Sequence, residues 1–122
     1  PDKGRFELRL MDGAVNPYLL QAGVIAAGLH GINNKIDPGE PLSCNMYTDH
    51  KNYPNLKKLP NIIEDALDQL ESSKEIEEAF GGDTIKSYLK LKRSEIKDFN
   101  QEEKFDKKSS VTNWEKNSTL DC

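Results

Sequence analysis

Residues 5–17 read RFELRLMDGAVNP, and this stretch decides what kind of domain the chain belongs to. Arg5, Glu7 and Arg9 alternate with Phe6, Leu8 and Leu10. Successive side chains of an extended segment point to opposite faces. The pattern therefore predicts a β-strand over residues 5–10, apolar on one face and carrying plus, minus, plus on the other. One reading is an amphipathic strand whose charges pair with neighbouring strands. The other is that the three charges converge on one ligand. A carboxylate is a hard oxygen donor suited to Mg²⁺ or Mn²⁺, and guanidinium forks suit phosphate or carboxylate oxygens. Two cationic groups beside a metal-binding acid match the needs of phosphoryl transfer.

The rest of the stretch turns the chain into a helix. Asp12-Gly13 favours a bend, and Asn16 before Pro17 reads as an N-cap followed by proline at the first helical position. The helix expected over residues 17–33 contains YLLQAGVIAAGLHGI and is apolar nearly all round. Such a helix belongs inside a larger body. Gly23, Gly28 and Gly31 each weaken it by about 1 kcal/mol relative to alanine, which makes sense where another backbone approaches closely.

Downstream, the sequence is loop until an amphipathic helix at 61–72, with Asn61 and Glu64 as a capping-box pair and Ile62, Ile63, Ala66, Leu67 and Leu70 as its apolar stripe. A short helix at 74–80 is expected to stop at Gly81-Gly82. A longer one at 84–99 is expected to be capped by Asp83 and to present Ile85, Tyr88, Leu89, Ile96 and Phe99 on one side. Three amphipathic helices are too little material to wrap the apolar one. The organisation expected is a unit over residues 1–99, a polar link at 100–110 and a tail at 111–122. The fold class is mostly α with one N-terminal β-strand, a piece of a larger α+β domain.

A chain of 122 residues suffices for one domain. With 31% charged residues and a net charge of −4, nucleic acid and anionic membrane are not expected as partners, since both call for a basic excess. The apolar run from Tyr18 to Ile32 is interrupted by Gln21 and His30 and is too short to span a bilayer. The chain begins with Pro1 and no secretory signal opens it, so it reads as part of something longer. Cys44 and Cys122 have no metal or redox spacing and are expected to be free thiols in a reducing compartment.

The stretch RFELRLMDGAVNPYLLQAGVIAAGLHGINNKIDPGEP, residues 5–41, resembles the C-terminal part of glutamine synthetases. That family has an Arg-x-Glu-x-Arg strand, an Asp, an Ala-x-Asn-Pro-Tyr turn, an Ala/Gly-rich helix and a Lys-x-Asp-Pro-Gly-Glu-Pro loop, in the order found here. LPNIIEDALDQLESSKEIEEAFG and SYLKLKRSEI look like its closing helices. TNWEKNSTLDC is similar to the C-terminus of a bacterial branch sometimes called type III.

The resemblance implies an ATP-dependent glutamate–ammonia ligase acting through γ-glutamyl phosphate, a fold that is α+β in the whole catalytic domain, and a ring-shaped homo-oligomer in the cytoplasm. Its partners are glutamate, ammonia and ATP, with Mg²⁺ or Mn²⁺ as cofactor. Glu7 is implied as a metal ligand, Arg9 as a substrate-binding and catalytic arginine, and Arg5 as a nucleotide-binding one. Alternatives are a related γ-glutamyl-amine ligase, such as a glutamylmethylamide synthetase, and a non-catalytic interaction module. Tyr47 stands where some members carry a nucleotidylated tyrosine, but here it is expected to be a plain surface residue. His30 is expected to be a satisfied buried histidine and His50 a solvated one. Lys86, Lys90, Lys92, Arg93 and Lys97 are expected to form a solvated face.

Overall fold

The computed structural model describes residue 4, residues 6–102 and residues 111–119, and among them the chain is mostly helical. Its elements are α1 (Pro17–Asn33), α2 (Met46–Asp49), a 3₁₀ turn (His50–Asn52), α3 (Ile63–Ser72), α4 (Lys74–Phe80), α5 (Gly82–Glu102) and α6 (Asn113–Thr119). Helices α1 and α4 have the expected bounds, and α3 and α5 fall close to theirs.

The expected strand over residues 5–10 is not formed. Residues 6–10 are irregular and Arg5 lies outside the described residues. The physical reason is a missing partner: a strand exists only when its N–H and C=O groups are paired across a ladder, and no other strand occurs among the described residues. The alternation still sorts the side chains. Phe6 and Leu8 line an open apolar cleft with Met11 and with Leu20, Val24 and Ile25 of α1.

Local signals explain most helix ends. Asn16 caps α1 by accepting from the N–H groups of Tyr18 at 3.0 Å and Leu19 at 3.1 Å, with Pro17 at the first helical position. At the other end the N–H of Ile36 reaches the carbonyl of Gly31 at 2.9 Å and that of Lys35 reaches Ile32 at 3.1 Å. This double closure is a Schellman motif, and it holds Lys35 at φ 51°, where glycine is the usual occupant. The end of α4 is set by Gly81 at φ 82°, whose N–H donates to the carbonyl of Glu77 at 2.8 Å.

Two expected caps move. Helix α3 begins one position later than the Asn61 cap requires. Ile62 occupies the cap position in an extended conformation, and no side chain caps it. Glu64 and Asp65 then sit in the first turn, where carboxylates oppose the positive end of the helix dipole. Asp83 likewise lies in the first turn of α5, which already begins at Gly82.

Helices α3, α4 and α5 enclose the core. Leu67, Ile85 and Leu89 are buried, and Leu70, Ile76, Phe80, Tyr88 and Ile96 pack against them. Arg93 of α5 ties the surface of this cluster to α3, donating to Glu71 at 2.6 and 3.1 Å and to Asp68 at 3.2 Å. Helix α6 docks on α5 through Phe99 and Trp114, whose rings meet edge to face at 5.5 Å. It opens with a reciprocal capping box: the N–H of Thr112 donates to Glu115 at 2.7 Å, and that of Glu115 to the Thr112 hydroxyl at 3.1 Å.

Helix α1 stands apart from this core. It touches α4 but buries none of its own residues, and Tyr18, Ile25 and Ile32 are largely exposed. The expectation that the other helices cannot wrap it is met.

Two measurements check this account. Gly81→Ala places a side chain at φ 82° and should cost about 1–3 kcal/mol in urea unfolding. Gly82→Ala meets only the movable end of Glu77 and should stay within about 0.5 kcal/mol. The second measurement concerns pH. The hydrogen bond from Arg93, and then its charge, hold the Glu71 carboxyl below its ordinary value of 4.5. A depressed carboxylate stabilises the fold above its unfolded pKa, and that contribution disappears as pH falls through the folded value. The stability difference between the chain and Arg93→Gln should therefore shrink below pH 4.5. Because the pair is exposed, salt should shrink it as well.

Candidate functional site

The charged residues of the opening stretch reach α1 through a short, internally bonded turn. The Asp12 carboxylate accepts from the N–H of Ala14 at 2.8 Å, and the Asn16 cap follows two residues later. The N–H of Leu20 then closes the first helical turn on the carbonyl of Asn16 at 2.9 Å. Asp12, Gly13, Asn16 and Pro17 thus fix where the preceding segment meets the helix.

On that segment Glu7 and Arg9 come together. The Arg9 Nε donates to the Glu7 carboxylate, and both side chains are exposed. The pair lies two residues apart, as expected for side chains on one face of an extended segment. Of the three charges read from the sequence, two are therefore brought together, and Arg5 lies outside the described residues. The bond uses Nε of Arg9, which leaves its terminal guanidinium nitrogens for an anion.

A hard divalent cation needs about six oxygen ligands. Glu7 can offer one carboxylate to it. Among the described residues no three of His, Cys, Asp or Glu gather to complete such a set. Glu7, whose carboxylate is engaged by Arg9, therefore makes no metal site by itself among the described residues.

The remaining candidates separate clearly. Tyr47 sits in the first turn of α2 and is 94% exposed, and its backbone N–H donates to the Asn45 side chain at 3.1 Å. His50 is exposed in the 3₁₀ turn. His30, expected to be buried, is only half-buried in the last turn of α1, with Nδ1 3.3 Å from the Asn34 amide nitrogen. It is half-buried because α1 lacks neighbours on most sides. The basic residues of α5 are exposed as expected except Lys92, which is half-buried. Arg93 clamps α3, and Lys92 bonds Glu95 at 2.8 Å while lying 5.9 Å from the centre of the Tyr88 ring. Lys86, Lys90 and Lys97 are exposed.

The sequence places KIDPGEP in a loop, as found, but does not foretell the left-handed backbone of Lys35. The backbone of the KIDPGEP segment is bent by the positive φ of Lys35 and again at Gly39, where φ is 81° and the N–H donates to Asp37 at 2.9 Å. Proline followed by glycine at 38–39 was the available signal. Nothing in the sequence marks Lys35 as left-handed, since glycine or asparagine is the usual sign.

Among the described residues no helix is long and apolar enough to cross a membrane. The family model for the glutamine synthetase catalytic domain matches residues 1–116. A glutamine synthetase of Rhizobium meliloti (strain 1021) is 46% identical over 121 residues, which cover 99% of this chain and 26% of the relative. A glutamate–methylamine ligase of Methyloversatilis universalis is 36% identical over 121 residues, covering 97% of this chain and 25% of the relative. A solved structure described as a GmaS/ADP complex superposes with a TM-score of 0.72 at 36% identity, covering 94% of this chain and 24% of that one. The chain spans about a quarter of the length of the curated relatives it matches. Matched over nearly its whole length, and carrying the motifs in order, the chain belongs to the glutamine synthetase catalytic-domain family.

Proposed function

We propose that this chain is the C-terminal part of an ATP-dependent ligase that joins glutamate to ammonia. The observation that carries the reading is the family match over residues 1–116, and it is supported by an Arg-x-Glu-x-Arg sequence that includes the exposed Glu7–Arg9 pair. Phosphoryl transfer from ATP to the γ-carboxylate of glutamate gives an acyl phosphate and ADP. Attack by ammonia at the acyl carbon then expels phosphate and leaves glutamine.

Anions accumulate at every stage of such a reaction, so the protein has to supply positive charge where they meet. Arg9 offers a planar fork to the carboxylate of glutamate, and then to its phosphorylated form. Arg5 is assigned to the nucleotide. Glu7 supplies one oxygen to Mg²⁺ or Mn²⁺, and the ion, when bound, neutralises phosphate charge. The Asp12–Pro17 turn is a positioning element that sets the angle between this segment and α1. Assembly into a ring of identical subunits and a cytoplasmic setting belong to the same proposal.

A second reading keeps the chemistry and changes the nitrogen donor. It is favoured by the 36% identity to the glutamate–methylamine ligase and by a 36% identity to a γ-glutamylethanolamide synthetase of Streptomyces coelicolor. The higher identity to glutamine synthetase favours ammonia. Turnover of the full-length enzyme with ammonia, methylamine and ethanolamine decides between them. A non-catalytic interaction module would show turnover with none.

Three outcomes are expected in the full-length enzyme. Glu7→Ala should raise the concentration of Mg²⁺ needed for half-maximal nucleotide binding. Arg9→Ala should raise the KM for glutamate and lower kcat, with a combined loss of roughly 10²–10³-fold, the range seen when one electrostatic stabiliser is removed. Arg9→Lys should restore only part of this, because a point charge cannot reproduce a bidentate fork. Near-normal kinetics in both alanine variants would remove Glu7 and Arg9 from the site. The 122-residue chain by itself should form no glutamine above background from ATP, glutamate, ammonia and Mg²⁺, since Glu7 alone cannot fill a coordination shell.

A further inference from the structure

We draw no further inference here: the strongest candidate, the open apolar cleft between residues 6–11 and the exposed flank of α1, carries nothing because nothing in the structure shows what covers it.

Discussion

Water must be kept from every side of α1, and the other described residues do not do it. A helix with Leu, Val, Ile and Ala round its whole circumference has no side that prefers solvent. Burying one leucine or isoleucine is worth about 1.5–3 kcal/mol, so the exposed Leu29, Ile25 and Ile32 represent a substantial unmet driving force. The same requirement explains why α1 carries glycines at 23, 28 and 31. A Cβ at any of them would meet nothing within 4 Å here. The room around them suits close neighbours that these residues do not provide. Membership of a family whose curated relatives are about four times longer is consistent with that.

The α3–α5 cluster works on a different principle. It needs few residues because each helix has one apolar stripe and the stripes face one another. Leu67 from α3 meets Ile85 and Leu89 from α5, and Ile76 and Phe80 of α4 close the side. Arg93 and the Phe99–Trp114 contact fix the relative placement of α3, α5 and α6. The chain thus combines a helical unit satisfied largely by itself with a segment, residues 6–33, whose chemistry and packing both point outward.

How much was legible in the sequence follows the range of the forces involved. The Asn16-Pro17 start and the Gly81 stop depend on residues a few positions apart, and they are where the sequence puts them. Of the expected α3 stripe, Leu67 and Leu70 pack in the core, whereas Ile62, Ile63 and Ala66 are exposed. The strand is not where the sequence puts it, because its existence depends on a distant partner and not on its own alternation. The Asn61 cap failed by one residue, within the scatter of any helix boundary. Thr112-Asn113-Trp114-Glu115 carries a readable capping box, although so polar a tail gives little sign that it packs. At the candidate site, family resemblance and not spacing supplied the roles. Spacing alone leaves Glu7 and Arg9 as a surface ion pair, and such pairs contribute little stability.

The connections within the helical cluster have a kinetic meaning. Ser73 alone separates α3 from α4, and Gly81 alone separates α4 from α5. Leu67 and Leu89, the two most buried of the described residues, therefore lie close along the chain, and closing a short loop costs little entropy. Chains rich in such local contacts fold in microseconds to milliseconds, whereas pairing with distant strands is far slower. The helical cluster can thus be complete whether or not residues 6–10 are paired.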